Sequence, residues 1–173
     1  MTAQRQERYG WRLGKAFLAL LAGFFASVCL DLPALAPTAL AATTERVVVN
    51  RYSGLAIEGF DPVAYFVDAR AVIGLPEFEA SQAGAVWRFR NEGNRASFVA
   101  HPDIYGPQFG GYDPVDLARG VTYAGNPRFW LIAGQQLYLF GREENRDAFA
   151  ADPERFQGEA SSRWPALEQQ LAQ

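Results

Sequence analysis

Two rhythms of apolar and polar positions run through residues 54–158, and the same succession of them occurs twice. Val86-Trp87-Arg88-Phe89-Arg90 alternates apolar and basic side chains, the period of a half-buried strand. Glu77–Ser81 supplies its partner, with a turn near Ala83-Gly84. Later, Phe129–Ile132 and Gln136–Phe140 predict a second hairpin across Ala133-Gly134-Gln135. Each hairpin is followed by a helical stretch, Asn94–Ala100 and Glu143–Ala151, whose Phe98 and Phe149 fall on the face turned to the strands. Pro102 and Pro153 close these helices, because proline has no N–H to continue the ladder. Ahead of each hairpin an Asp-Pro pair opens a short helix, Asp61-Pro62 before Val63–Phe66 and Asp113-Pro114 in the second copy. The carboxylate accepts orphan amide hydrogens, and the proline has none to lose. Arg46–Val49 reads as an added edge strand, and Trp164-Pro165 as the start of a terminal helix, 164–173, with a polar tail.

The repetition extends to individual residues. Gly59-Phe60-Asp61-Pro62-Val63 returns as Gly111-Tyr112-Asp113-Pro114-Val115, 52 residues on, and Trp87-Arg88-Phe89 returns as Tyr138-Leu139-Phe140, 51 on. Asn94-Arg95, Phe98, Pro102 and Tyr105 return as Asn145-Arg146, Phe149, Pro153 and Phe156, again 51 on, so one single-residue gap aligns both blocks. The expectation is an α+β domain: a small antiparallel sheet with short helices, built from pseudo-repeats at about 54–106 and 107–158. One unit of about fifty residues buries too little apolar surface to stand alone, whereas two sharing a sheet bury enough.

Residues 1–42 follow another pattern. Arg5, Arg8, Arg12 and Lys15 precede the charge-free run Ala16–Leu30, which Asp31 and Pro33 end, and Ala39-Leu40-Ala41 offers a small-x-small site. Basic, apolar and small-residue segments in that order make a secretory signal peptide, cleaved near Ala41/Ala42, with the 43–173 domain periplasmic or extracellular. The alternative is an uncleaved anchor, but the 15-residue run makes about 22 Å of helix, short of the roughly 20 residues a bilayer needs. Lipidation at Cys29 would require a small residue where Val28 stands, and no Arg-Arg pair supports a twin-arginine route. Membrane contact is therefore expected only through the N-terminal segment before cleavage.

Removing that segment changes the charge. It holds four basic and two acidic residues, so the net charge of −3 for the whole chain becomes −5 for the remainder. An acidic surface with scattered arginines argues against a nucleic-acid partner. The only cysteine, Cys29, lies in the signal, so the mature domain is held by its aromatic core without a disulfide.

With these motifs in place the chain resembles the YHS-domain family, in particular its exported stand-alone bacterial members. The residues that carry the resemblance are Ala56 through Phe66, Gly84 through Phe89, Phe98 with Pro102 through Tyr112, Ala118-Arg119-Gly120, Asn126-Pro127, Leu137-Tyr138-Leu139 and Trp164-Pro165. The family is associated with metal handling, and many members carry a cysteine directly after Gly-Gly-Tyr. Here Gly110-Gly111-Tyr112 is followed by Asp113, so a hard carboxylate replaces the soft thiolate that selects copper or zinc.

Chemistry-bearing residues are few. His101, the only histidine, precedes Pro102 at a helix end, where capping competes with a metal-ligand or general-base role. Asp61 and Asp113 are either twin N-caps or a carboxylate pair able to hold a hard cation. As caps alone, either would be replaceable by Asn at little cost and by Ala at about 1 kcal/mol. Tyr65, Tyr105 and Tyr112, with Phe109, are core packing or the lining of a ligand pocket. No nucleophile elbow, Walker A or Gly-x-Gly-x-x-Gly motif is present. These residues point to a non-catalytic binding or accessory domain with an unidentified small ligand or protein partner. A protein-interaction or structural module is the alternative, and a carboxylate-based enzyme comes third. No cofactor is expected; a metal ion is open, with His101 and Asp113 as candidate ligands.

Overall fold

A computed structural model describes residues 45–171; the signal-peptide reading, Cys29 and the cleavage position near Ala41/Ala42 lie outside them. The alternating segments form two hairpins. β1 (Leu75–Gln82) pairs antiparallel with β2 (Ala85–Phe89), and β3 (Asn126–Ala133) with β4 (Gln136–Phe140). Both turns have positive φ at each of two central residues, 52° and 77° at Ala83 and Gly84, 56° and 63° at Gly134 and Gln135. That mirror-image turn matches the right-handed twist of the strands it joins. Both pairings also slip in register at the same place, between Leu75 and Glu79 in one and between Asn126 and Trp130 in the other.

The fold is α+β, but its strands form two separate two-stranded sheets instead of the one shared sheet expected from sequence. An irregular segment meets the inner strand of each hairpin by a single parallel bridge, Leu55 beside Val86 and Pro107 beside Leu137. Those segments take the edge that a shared sheet would have used, and Pro107 has no N–H with which to extend the pairing. The expected edge strand at Arg46–Val49 shrinks for a similar reason. Only Val49 pairs, with Ala56, while Val48 donates to the Gly110 oxygen (2.8 Å) and accepts from Ile57 N (3.1 Å).

Six helices complete the described residues: α1 (Ala64–Val67), α2 (Glu92–Ala100), α3 (Pro102–Tyr105), α4 (Pro114–Ala118), α5 (Glu143–Ala151) and α6 (Pro153–Leu171). Pro102 and Pro153 stand immediately after α2 and α5, and each also opens the next helix at its first position, where its missing N–H costs nothing. The terminal helix does not begin at Trp164-Pro165: α6 runs from Pro153 through Pro165. The lost hydrogen bond would have gone to Ser161, and both residues are exposed, so water solvates the orphaned carbonyl.

Aromatic side chains fill the interior. Phe98 lies fully buried 4.9 Å from Trp87 and 5.2 Å from Phe89, ring centre to ring centre. Phe149 lies 4.8 Å from Tyr138 and 5.2 Å from Phe140. Among the described residues no helix is long and apolar enough to cross a membrane.

Candidate functional site

Each Asp-Pro pair becomes a buried carboxylate that ties three elements together. Asp61 Oδ1 accepts from Val63 N (2.9 Å) and Ala64 N (3.3 Å), at the start of the first short helix. Its Oδ2 accepts from Arg90 N (2.8 Å), just past β2, and from Asn94 Nδ2 (2.6 Å) on α2. Asp113 repeats the arrangement. Oδ1 accepts from Val115 N (2.8 Å) and Asp116 N (3.4 Å), while Oδ2 accepts from Gly141 N (2.8 Å) and Asn145 Nδ2 (2.7 Å). Both aspartates have no exposed surface. The partners of Asp61 come from residues 63–94 and those of Asp113 from residues 115–145, so no hydrogen bond joins the two carboxylates.

The second node is the more highly charged. Asn145 Nδ2 also reaches Asp116 Oδ2 at 3.1 Å, and Asp116 Oδ1 pairs with Arg119 (3.0 Å) and Arg142 (2.8 Å). Burial pushes the Asp113 carboxyl above its ordinary range, against the bonds from Asn145, Gly141 and Val115 that pull it down; the neighbouring Asp116 charge raises it further. The roles of Asn94, Asn145, Asp116 and Arg142 were not assigned from sequence. The recurrence of Asn at the same offset as the hairpins was the available signal for the first two.

Before each node the backbone runs left-handed for three residues: Ile57, Glu58 and Gly59 at φ 42°, 56° and 82°, then Phe109, Gly110 and Gly111 at 55°, 62° and 91°. A β-branched residue such as Ile57 is strained there. Glycine is required at 110, because a Cβ would collide with the Arg46 carbonyl oxygen. The loops therefore sit directly against neighbouring backbone, with Gly59 O accepting from Gly74 N and Gly111 O from Gly125 N, both at 2.9 Å.

The hydroxyls of Tyr65 and Tyr112 are spent on different partners. Tyr65 is buried and donates its hydroxyl to Pro127 O (2.8 Å); burial, then the charges of Asp61 and Glu58, push its phenol above the ordinary value, opposed by Arg128. Tyr112 donates to Glu45 O (2.8 Å), and burial followed by the Glu45 charge raises it as well. Tyr105 is half-buried, edge-on to Phe66 at 5.4 Å. His101 is exposed between α2 and α3 and caps through its backbone. Its N–H donates to Ser97 O and Phe98 O, and its carbonyl accepts from Ile104 and Tyr105. Asp113 is enclosed and His101 is at the surface, and among the described residues no three His, Cys, Asp or Glu side chains are grouped to hold a metal ion.

A concave surface lies elsewhere. A groove of about 830 Å³ is lined by Glu45 and the 47–51 segment, the Ala83-Gly84 turn, Tyr112, Thr122, Ala124 and Leu171. In comparisons with known proteins, no family model, curated protein or solved structure gave a significant match to this chain.

Proposed function

We propose that this chain is an exported, non-catalytic binding domain of the YHS kind, built from a duplicated unit, that takes its ligand in the groove beside Glu45–Arg51. One observation carries the reading: both buried carboxylates are spent on holding helices and strands, while a groove apart from them is open. Each oxygen of Asp61 and Asp113 already accepts two hydrogen bonds, which weighs against a carboxylate-based enzyme and against a cation shared between them. Duplication is supported by the matched turns, register slips, left-handed loops and Asp–Asn bonds of the two halves. Export is supported by the three-part pattern of residues 1–42. Native mass spectrometry of the protein released from the periplasm tests the reading. The expected result is a soluble chain beginning near Ala42 with a companion mass that survives Asp61→Asn and Asp113→Asn. A bare mass under every condition would overturn it.

A further inference from the structure

The two halves of the domain differ in charge around their buried carboxylates. The offsets that align the copies set Asp116, Arg119, Tyr123 and Arg142 opposite Ala64, Val67, Val72 and Asn91. Two shared bonds fix that alignment. Asp61 N donates to Val72 O as Asp113 N does to Tyr123 O, and Arg90 N donates to Asp61 Oδ2 as Gly141 N does to Asp113 Oδ2. The first copy thus builds the same Asp–Asn node, hairpin and helix with none of the four. One of them works against its own helix. Asn91 caps α2 by accepting from Asn94 N (2.8 Å), whereas Arg142, at the same place before α5, makes no side-chain cap. A cation there also opposes the helix dipole.

Arg119 Nη1 (3.0 Å) and Arg142 Nη2 (2.8 Å) both bond Asp116 Oδ1, which sets the two guanidinium groups side by side. Each gives that oxygen one nitrogen and has no other hydrogen-bond partner among the described residues. Elsewhere on the surface Arg95 meets Glu92 with two nitrogens, at 2.7 and 2.6 Å. Asp116 is buried, while 57% and 44% of the Arg119 and Arg142 side chains are exposed. A third guanidinium borders the pair from α6: Arg163 Nη1 lies 3.8 Å from where a Cβ on Gly120 would stand. Glu143, next to Arg142, is drawn to Arg146 (2.8 Å). The Arg142 guanidinium lies 5.9 Å from the centre of the Tyr123 ring, which is half-exposed, as is Val121. None of these residues lines the groove.

We propose that Arg119 and Arg142 clamp the phosphate of a small phosphate monoester, with Arg163 at its edge and the flat body of the ester on Tyr123. A guanidinium fork meets a phosphate with two parallel bonds, and two forks standing together match its double charge. A lone carboxylate would satisfy one fork and leave the other unmet. Asp116 is a positioning residue: its buried oxygen holds both forks before the ligand arrives, so less side-chain freedom is lost on binding. The site is separate from the groove and does not depend on what fills it.

The test titrates the ¹⁵N-labelled domain, residues 43–173, with phenyl phosphate at fixed ionic strength and follows the arginine Nε–H signals. Saturating shifts at Arg119 and Arg142 are expected. Benzenesulfonate, the same ring on a singly charged oxyanion, should bind at least about tenfold more weakly. Arg119→Gln should weaken phenyl phosphate by about the same factor, since bonds to a charged group are lost. Arg142→Asn should do so too while giving α5 the cap that α2 has, so its urea midpoint should stay close to the parent's. If that variant does not fold, Arg119→Gln decides. Charge pairing for stability alone gives the reverse, a lowered midpoint and no saturable shift in any protein. Shifts that are linear in phenyl phosphate, spread over all arginines, or unchanged by both substitutions would overturn the site.

Discussion

Replacing Asp113 by Asn separates a node from a cap. The amide keeps one oxygen for Val115 N and Asp116 N, bonds of 2.8 and 3.4 Å, so the helix start is served as before. Its NH₂ then faces Gly141 N and the Asn145 amide, two donors that the carboxylate oxygen had accepted at 2.8 and 2.7 Å. A buried donor left unmet costs about 1–3 kcal/mol, so two give a loss of about 2–6 kcal/mol. Rotating Asn145 would bring its own oxygen to the new NH₂ but would break its 3.1 Å bond to Asp116 Oδ2, so a loss of at least about 2 kcal/mol remains. Capping alone would leave Asn near the parent. The assay is urea unfolding of residues 43–173 at constant m, with Asn145→Ala combined with Asp113→Asn in a cycle; a coupling of about 0.5–3 kcal/mol between the two positions is expected. An acid series adds a sign. Because burial raises Asp113 in the folded state, its contribution is full below the ordinary carboxylate value of about 4 and is lost as pH rises through the raised one. The parent's lead over the Asn variant should therefore be widest in acid and narrow toward neutrality. An Asn variant within about 0.5 kcal/mol of the parent across the series would refute the node.

Tyr65→Phe leaves Pro127 O without its 2.8 Å donor and should cost about 1–2 kcal/mol near neutrality. In alkali the order of losses reverses: the raised phenol of Tyr65 contributes stability that is full below about pH 10 and lost as pH rises through its folded value, so urea midpoints should fall further for the parent than for Phe. Gly110→Ala should lower the midpoint far more than Gly134→Ala, since both residues have positive φ but only at 110 would a Cβ meet backbone, at Arg46 O. Equal losses at the two positions, read by thermal melts, would mean that the Arg46–Val48 segment does not rest on the 109–111 loop.

What the sequence carried about the fold was local. Two-residue alternation in Val86–Arg90, the short apolar run Leu137–Phe140, a glycine at each turn and a single Phe per helix are enough to specify hairpin followed by helix, and they match the structure. The assembly of the hairpins was not legible in this way. Whether two strands share a sheet depends on what reaches their edges, and Leu55 and Pro107 reach them from irregular segments that have no periodicity to read. Pro165 misled for a related reason. A proline reads as a helix start or stop, yet on the exposed side of α6 water takes over the carbonyl it orphans, so the helix continues.

The candidate site divides along the same line. Asp61 and Asp113 were visible because Asp before Pro has a local reason, but their second oxygens answer Asn94 and Asn145, more than thirty residues away for each pair. Repetition alone singled those asparagines out, without saying what they hold. The groove was not legible at all, because Glu45, Arg51, Tyr112 and Thr122 line it from stretches far apart in the sequence. Val48 is drawn toward Ile57 and Gly110, and Tyr123 toward Asp113, by hydrogen bonds to residues in or beside two left-handed loops, so the chain that borders the groove is placed by loops with no periodicity to read.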